Sequence, residues 1–282
     1  MTGTLFVVAT PIGNLEDLTF RALRVLGEVD LIAAEDTRRT AKLLAHYKLH
    51  TPMISVREHN EAAASARVVA KLLDGASVAL VSDAGTPGIA DPGARLVGEV
   101  RRHGIRVVPI PGASAVAAAL SVAGLPSDQF VFMGFPPPAG SARIRWFEEL
   151  AQEPRLVVFF ESPHRIAQTM QQLRLVNRPI LVFRELTKVH ESLVESPNIT
   201  HTDVIATGEF TLVAGPTQSV VTEKPDVDAV FSLFQRLTSL GQFDHDEAVG
   251  IVAKVLDVTQ GYVSKCIKKG KILVDQRSRS AP

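Results

Sequence analysis

The sequence lacks the cysteines that disulfides and cysteine-rich zinc sites require. Its 282 residues include one cysteine, Cys266, so it can form neither an intramolecular disulfide nor a zinc site built from several cysteines. This composition fits a reducing compartment, and we expect a cytoplasmic protein. The first residues also lack the basic segment and the apolar run of a secretory signal, so no signal peptide is predicted.

The sequence also lacks a net charge. It has 30 basic and 30 acidic residues, which gives no general indication of nucleic-acid binding but leaves a local basic surface open. Hydrophobic residues make up 46% of the chain, enough for packed cores and too many for a disordered protein. The longest uncharged stretch, residues 107–127, contains prolines and glycines, so it is predicted to form a strand, a turn and a helix rather than a membrane span.

Common signatures of catalytic and nucleotide-binding sites are absent as well. The sequence contains no Gly-x-Gly, no phosphate-binding P-loop, no His-Glu-x-x-His and no Gly-x-Ser-x-Gly. These absences argue against a Rossmann dehydrogenase, a kinase, a zinc protease and a serine hydrolase. No metal site is predicted.

Apolar runs alternate with helical patterns along most of the chain. Strands are predicted at 5–9, 29–34, 53–56, 78–81 and 106–110, with helices between them, which is typical of a mostly parallel α/β sheet. A second alternating block has strands at 130–134, 156–160, 180–183 and 210–214. The predicted domains are therefore two α/β domains, 1–115 and 116–217, a linker at 216–225 and a small helical domain at 226–282.

Polar and small residues follow the predicted strands. The most informative segment, residues 82–93, reads SDAGTPGIADPG and comes directly after an apolar run. Ligands of open α/β sheets bind at the carboxyl ends of strands, so Asp83 and Thr86 are candidate ligand contacts. The alternative is an ordinary turn between a strand and a helix.

Six such segments occur in the order and at the spacing of a known family: ATPIGNL (9–15), AEDTR (34–38), SDAGTPGIADPG (82–93), PGASA (111–115), ESPHR (161–165) and RELTK (184–188). Over about residues 4–216 the chain closely resembles the ribosomal RNA small subunit methyltransferase I family of the tetrapyrrole methylase superfamily. The resemblance implies two α/β domains with a cofactor cleft between them, S-adenosylmethionine as cofactor, and a homodimer.

The resemblance further implies methylation of the ribose 2′-hydroxyl of a cytidine in the decoding region of 16S ribosomal RNA. Matching positions place eleven residues at the cofactor: Asp83, Ala84, Gly85, Thr86, Ala113, Ser114, Phe160, Glu161, Leu186, Ala214 and Gly215. Gly112 joins them because, like Gly85, it has no Cβ and allows a close approach of the backbone to the cofactor. Ala90 stands where the family often has serine, and the usual basic run after the Phe-x-Pro turn is reduced to Arg143 and Arg145.

A ribose hydroxyl is a weak nucleophile, so a general base is expected. Glu35 and Asp36 are the preferred carboxylates because they follow a strand, and His59, His164 and His190 are weaker candidates. Arg38, placed in the same catalytic segment, could also contact RNA phosphate together with Arg165 and Lys188. The alternatives are a helix cap with ion pairs to Arg38 or Arg39 for the acids, and ordinary ion pairing for the basic residues.

The C-terminal part of the chain carries a local excess of positive charge. Residues 246–263 have the pattern of a helix-turn-helix. From residue 261 onward one acidic residue, Asp275, stands against six basic ones, Lys265, Lys268, Lys269, Lys271, Arg277 and Arg279. Lys265, Lys268 and Lys269 are therefore predicted to contact RNA. The alternative is a solvated helix face with a loose tail.

Two other functions remain open from the sequence. One is a precorrin-type tetrapyrrole C-methyltransferase, which would share the fold and the cofactor. The other is an RNA-binding protein without catalytic activity, which would use the C-terminal unit alone. The partners expected are ribosomal RNA or an assembled small subunit, and no membrane.

Overall fold

A computed structural model of the chain describes residues 2–176, 178–195, 206–217, 225–239, 243–256 and 258–279, without the side chains of Glu58 and of residues 273–279. The chain forms two compact units, Met1–Thr217 and Gln218–Pro282. Most of the predicted linker, residues 218–224, lies outside the described residues. The division of the first unit at residue 115 stays a prediction; it falls between the last strand of one sheet and the first strand of another.

The first sheet is entirely parallel. Its strands are β1 (Thr4–Val8), β2 (Leu31–Ala34), β3 (Met53–Ser55), β4 (Val78–Val81) and β5 (Arg106–Ile110), in the order β3-β2-β4-β1-β5. Helices α1 (Phe20–Glu28), α2 (Thr37–His46), α3 (Glu61–Leu73) and α4 (Ala94–Arg102) connect them. Both faces of the sheet are buried, one in a core around Leu5 and Leu80 and the other around Val8 and Ile32, as expected for a parallel sheet.

The second sheet is mixed, which the alternating pattern did not predict. It contains β6 (Phe130–Phe132), β7 (Leu156–Glu161), β8 (Ile180–Arg184), β9 (Ser192–Glu195) and β10 (Phe210–Ala214), in the order β6-β7-β10-β8-β9. Strand β10 lies between β7 and β8 and runs antiparallel to both. Helices α5 (Ala115–Val122), α6 (Gly140–Gln152) and α7 (Ile166–Leu173) belong to the same unit.

The C-terminal unit contains three described helices, α8 (Val227–Ser239), α9 (His245–Val255) and α10 (Gln260–Arg279). Asp244 and Glu247 form a capping box at the start of α9, in which each side chain accepts a hydrogen bond from the other's backbone N–H. The core of the unit is built around buried side chains such as Val230, Val252 and Val263. Helices α9 and α10, with their short connection, occupy the predicted helix-turn-helix segment.

Within the described parts of the chain, no helix is both long and apolar enough to cross a membrane. The uncharged stretch 107–127 instead contains the end of β5, the turn after it and the whole of α5.

Candidate functional site

A cavity of about 340 Å³ opens where loops following strands of both sheets meet. Its lining residues come from the loops after β1, β4, β6 and β8, the start of α5, the end of β7 with the residues after it, and the start of β10. Seven of the twelve predicted cofactor residues line it: Ala84, Gly85, Thr86, Ser114, Phe160, Glu161 and Leu186. The other five, Asp83, Gly112, Ala113, Ala214 and Gly215, are not among the lining residues. Binding of the cofactor by these twelve residues stays a prediction.

The loop after β4 takes its shape from left-handed backbone conformations. Gly85, Gly88 and Gly93 have φ values of 76°, 80° and 126°, and Ala90, which lines the cavity, has φ 60°. Gly85 exchanges two backbone hydrogen bonds of 2.9 Å with Thr10, which joins this loop to the one after β1. Glycine adopts such conformations without strain, so the sequence of residues 82–93 suits this curved wall.

The loop after β1 packs closely against the loop after β8. A Cβ on Gly13 would lie 2.4 Å from Lys188 Cγ and 2.7 Å from the Leu186 carbonyl oxygen. The backbone N–H of Asn14 donates a 3.1 Å hydrogen bond to Thr187 Oγ1. A side chain at residue 13 would therefore push away the segment that carries Leu186 into the cavity wall.

Strained backbone flanks Leu186 on both sides. Glu185 and Thr187 have φ values of 55° and 66°, which is unusual for any residue but glycine and a genuine outlier for β-branched threonine. Lys188 donates to Glu185 Oε1 at 2.8 Å and to Glu209 Oε2 at 3.1 Å. Such strain concentrates at ligand sites, where the surrounding contacts maintain it.

Gly112 serves packing between strands. A Cβ on it would lie 3.0 Å from the Cβ of Ala9, at the end of β1. This contact gives a packing reason for the glycine, and the expectation that Gly112 lets the backbone approach the cofactor stays a prediction. The neighbouring Ala113 carbonyl accepts a 3.2 Å hydrogen bond from the Thr86 hydroxyl, and Ser114 forms the N-cap of α5. The positive end of the α5 dipole consequently lies at the cavity.

Glu161 lines the cavity, but its side chain is buried behind the wall. Its carboxylate accepts hydrogen bonds from Thr169 Oγ1 at 2.5 Å and from the Ser162 N–H at 2.7 Å. It pairs with Arg165 at 2.8 Å and with Arg143 at 3.7 Å. Glu161, predicted from the sequence to contact the cofactor, therefore connects β7 to α6 and α7 through its side chain.

Two arginines of this network also hold the proline-rich loop before α6. Arg143, whose side chain is 2% exposed, donates to the Pro137 carbonyl, and Arg165 donates to the Pro136 carbonyl. Of the two basic residues that remain after the Phe-x-Pro turn, Arg143 is thus buried, whereas Arg145 is exposed. For Arg165, as for Lys188, the contacts match ordinary ion pairing, and a role at RNA phosphate stays a prediction.

The predicted catalytic segment follows β2, outside the cavity lining. Asp36 forms the N-cap of α2 and pairs with Arg38 at 2.6 Å and Arg57 at 3.7 Å. Hydrogen bonds from Arg38 hold the pKa of Asp36 far below its usual range. These contacts match the alternative of a helix cap with ion pairs, and they make Asp36 a weak proton acceptor.

Glu35 lies deeper than Asp36. Its Oε2 accepts a 3.1 Å hydrogen bond from the Asp83 N–H, and burial raises its pKa. Asp83 in turn accepts a 3.0 Å hydrogen bond from the Asp36 N–H and pairs with Arg39 at 3.4 Å. Both carboxylates therefore support the loops behind the cavity. The three histidines considered as bases, His59, His164 and His190, are exposed and are not among the lining residues.

Asp91 is the cavity residue that sequence reasoning missed. It belongs to the segment quoted above, SDAGTPGIADPG, but no role was assigned to it. Burial, with a further contribution from the nearby Glu35 carboxylate, raises its pKa to about 6. Apolar lining residues such as Ile12, Ile89 and Phe135 were missed too, because nothing in their local sequence separates a ligand contact from a core residue.

In the C-terminal unit, Lys265, Lys268, Lys269 and Lys271 are exposed on α10. The side chains of Arg277, Arg279 and Asp275 lie outside the described residues. In the described part of the chain, no group of three or more His, Cys, Asp or Glu side chains is arranged to hold a metal ion.

Comparisons with known proteins agree with this geometry. The family described as Tetrapyrrole (Corrin/Porphyrin) Methylases matches residues 4–198. A protein of Pseudomonas aeruginosa named ribosomal RNA small subunit methyltransferase I is 49% identical over 198 residues, which cover 69% of this chain and 70% of the relative. Its namesake from Xylella fastidiosa is 46% identical over 220 residues, covering 75% of this chain and 81% of the relative.

Solved structures of lower sequence identity share the fold. Uroporphyrin-III C-methyltransferase from Thermus thermophilus, crystallised with S-adenosylhomocysteine, has 18% identity and a TM-score of 0.54, covering 76% of this chain and 97% of that one. Diphthine synthase has 13% identity and a TM-score of 0.60, covering 76% and 90%. Both the predicted α/β fold class and the resemblance are confirmed: the chain belongs to the tetrapyrrole methylase family, and within it to the ribosomal RNA small subunit methyltransferase I group.

Proposed function

We propose that this protein methylates 16S ribosomal RNA of the small subunit, at the ribose 2′-hydroxyl of a cytidine in the decoding region. The observation that carries the proposal is the identity of 46–49% over more than two thirds of the chain to relatives named ribosomal RNA small subunit methyltransferase I. The choice of cytidine and of the 2′-oxygen rests on the family resemblance of the six sequence segments. The structure supplies a cavity suited to such a reaction.

S-adenosylmethionine is the cofactor of this methyltransferase family. The cavity fits it in size and chemistry, because small-molecule sites enclose about 300–1,000 Å³ and are mostly apolar with a few polar groups. Phe135 and Phe160, whose ring centroids are 5.5 Å apart, offer an aromatic surface for an adenine, and the start of α5 at Ser114 offers N–H groups to a carboxylate. When bound, the cofactor supplies an electrophilic methyl group on sulfur.

The protein's own task is to hold the acceptor hydroxyl in line with that methyl group. Correct positioning of two reactants lowers a barrier by about 7–11 kcal/mol. The glycine-rich loop 82–93 and the strained loop around Leu186 form two walls of the cavity whose conformations are fixed by hydrogen bonds. Fixed walls of this kind suit a reaction that depends on geometry.

The lysine surface of α10, formed by Lys265, Lys268, Lys269 and Lys271, is proposed to bind RNA phosphate. All four side chains are exposed, and the chain as a whole has no net charge, so this surface is a local concentration of positive charge. Arg38 is 81% exposed and is retained as a further candidate RNA contact. Phosphate contacts give affinity and orientation, while the cavity selects the reacting atom.

Two further properties are proposed: a cytoplasmic location, from the single cysteine, and a homodimer, from the family resemblance. Helix α5 favours the homodimer because it is apolar on nearly every side, yet its Val122 is 60% exposed. Sedimentation equilibrium tests the homodimer: twice the chain mass of 30.4 kDa is expected. A mass of 30.4 kDa at micromolar concentration would contradict it.

The function is tested with purified protein and S-adenosylmethionine labelled in its methyl group. The acceptors are assembled small ribosomal subunits, free 16S RNA and a precorrin-type tetrapyrrole. Label is expected on RNA, in one nucleotide that resists alkaline cleavage at its 3′ side because its 2′-oxygen is methylated. Label on a base would contradict the 2′-O assignment, and label on the macrocycle would favour the tetrapyrrole C-methyltransferase. A lack of label on every acceptor would favour the non-catalytic RNA-binding protein.

A further inference from the structure

We propose that Asp91 is the residue that accepts the proton of the acceptor hydroxyl during methyl transfer. The inference rests on the proposed function and names the base, for which Glu35 and Asp36 were the candidates from the sequence. It is carried by the position of Asp91 in the cavity and by the arrangement of the charged groups around it.

Three acidic residues are among those that line the cavity, Asp91, Glu161 and Glu209. Glu161 is committed to Arg143 and Arg165 behind the wall, and Glu209 is paired with Lys188. Among the residues that the structure describes, Asp91 has no ion pair within 4.0 Å. It is therefore the lining carboxylate whose oxygens are least engaged by cations.

The charged groups near Asp91 are mostly of its own sign. Glu35 approaches it from the end of β2, Asp83 from the end of β4 and Glu209 from the start of β10, and each disfavours its ionised form. Burial acts in the same direction and is the largest effect, while a hydrogen bond with Ser82 acts against them. Together they raise the pKa of Asp91 to about 6. A base of this strength is mostly ionised at neutral pH yet binds a proton readily.

The chain next to Asp91 is held in place by hydrogen bonds to Glu61 and by the start of α4. Glu61, at the start of α3, accepts hydrogen bonds from the Gly93 N–H at 3.1 Å and the Leu96 N–H at 3.3 Å. Gly93, with φ 126°, forms the N-cap of α4. The segment after Asp91 is thus tied to two helices, which holds the backbone that carries Asp91 in place beside the cavity.

Glu35 and Asp36 fit the role less well. Neither lines the cavity, Glu35 is engaged by the Asp83 N–H, and Asp36 is engaged by Arg38 and Arg57. Glu35 instead acts on Asp91 at a distance by opposing its negative charge. In this arrangement Glu35 is a positioning residue that tunes the base.

The proposed step balances in atoms and charge. The acceptor oxygen forms a bond to the methyl carbon, the carbon–sulfur bond breaks with its electron pair remaining on sulfur, and the hydroxyl proton passes to Asp91. The carboxyl then releases the proton to water, which restores the carboxylate. The step as written needs no oxidant and no further reactant.

The test is single-turnover methyl transfer to the RNA acceptor by the full-length protein between pH 5 and 9. The wild-type rate is expected to rise with pH and level off above an inflection near 6, where Asp91 is ionised. The variant Asp91→Asn is expected to be about 10²–10⁴-fold slower, to lack that inflection, and to bind S-adenosylmethionine within threefold of wild type by calorimetry. Asp74→Asn, at the exposed end of α3, is the matched control and is expected to behave as wild type.

A second measurement follows the carboxyl without requiring activity. Because folding raises the pKa of Asp91, the folded state gains a proton relative to the unfolded state between about pH 4 and 6, and stability falls as pH rises through this range. Asp91→Asn removes this loss, so its melting temperature is expected to exceed that of wild type at pH 8 and to equal it at pH 4.

The measured rates, pH profiles and melting temperatures test the assignment of Asp91 as the base. A variant rate above one tenth of wild type, a retained inflection, or a melting difference that does not change with pH would overturn the assignment. A cofactor affinity reduced more than tenfold with an unchanged saturated rate would make Asp91 a binding residue and overturn it too. If the wild-type protein transfers no methyl group to RNA, the proposed function itself fails, and the melting experiment still reports whether Asp91 titrates as described.

Discussion

At the scale of single residues, the cavity depends on positions where a side chain would collide with backbone. Gly13 is the clearest case, because its missing Cβ makes room for the Leu186 carbonyl and for the side chains of Lys188 and Thr187. The glycine of the ATPIGNL segment is thus explained by its close packing against the loop after β8.

The variant Gly13→Ala is expected to weaken cofactor binding. Overpacking costs about 1–3 kcal/mol, and the segment around Leu186 would move to relieve it. A loss of about 1.4 kcal/mol at the cofactor corresponds to a tenfold higher Kd, measured by calorimetry. Gly98→Ala, in the middle of α4 with nothing nearer than 3.9 Å, is the control and is expected to bind normally. Equal affinities of the two variants would refute the packing argument.

Two arginines of α6, one buried and one exposed, allow a matched test of the buried ion-pair network around Glu161. Arg143→Ala removes one of the two arginines that pair with the buried Glu161, together with the hydrogen bonds that Arg143 donates to Thr169 and to the Pro137 carbonyl. Because hydrogen bonds of a buried charged group are lost, we expect it to cost about 1.5–3 kcal/mol of unfolding free energy. Arg145→Ala, at an exposed position of the same helix, is expected to change it by less than about 0.5 kcal/mol. Denaturant unfolding gives both values, and similar losses for the two variants would contradict the role of Arg143.

At the scale of helices and strands, the sequence predicts best where the signals are local. The bounds of β4 and β5 agree with the prediction residue for residue, since each is a mostly apolar run that ends in a turn. Helix α6 begins at Gly140, and its N-cap Ala139 has no side chain that could signal a helix start. The place of β10 between β7 and β8 depends on pairing with distant strands, which no local pattern records.

The loops of the candidate site could be located from the sequence, but the contacts between them could not. Loops with several glycines and prolines, such as residues 82–93, were located from their sequence, and seven of the residues expected at the cofactor do line the cavity. Asp91 lies within the same loop, but its distinctive environment is created by Glu35 and Glu209, which are far from it in sequence. Ion pairs such as Arg165 with Glu161 likewise appear only once the fold brings the side chains together.

The lysine surface of α10 gives a prediction at the scale of one helix. Changing Lys265, Lys268 and Lys269 together to alanine should weaken RNA binding and reduce the slope of log affinity against log salt by about 2, because each lost phosphate contact accounts for about 0.7–0.9. Arg67, Lys71 and Arg101, exposed on α3 and α4, form a control triple. The same slope for both triple variants would show that α10 does not carry the phosphate contacts.

At the scale of the whole molecule, the two compact units have separate cores. The core of the C-terminal unit is formed by three helices around Val230, Val252 and Val263. In this core, Gly270 of α10 packs closely against Phe231 of α8. A Cβ on Gly270 would lie 2.3 Å from the Phe231 Cγ. Damage at this point should therefore remain within the C-terminal unit.

Calorimetry of Gly270→Val tests this independence. We expect two thermal transitions, of which the variant lowers one by at least about 5 °C, since overpacking by 1–3 kcal/mol has such an effect in a unit of this size. Affinity for S-adenosylmethionine is expected to stay unchanged. Gly261→Ala, where an added Cβ meets nothing within 4 Å, is the control. A single transition that shifts as a whole would show that the units unfold together.

The place of β10 also bears on how the chain is made. Strands β6, β7 and β8 are synthesised before residues 210–214, and until β10 is available the two strands that it will separate have unpaired edges. Unpaired edges of apolar strands are where nascent chains pair wrongly and aggregate. A fragment trimmed to the family match, residues 4–198, would keep those edges permanently, so expression of the catalytic unit requires the chain to extend at least through Ala214.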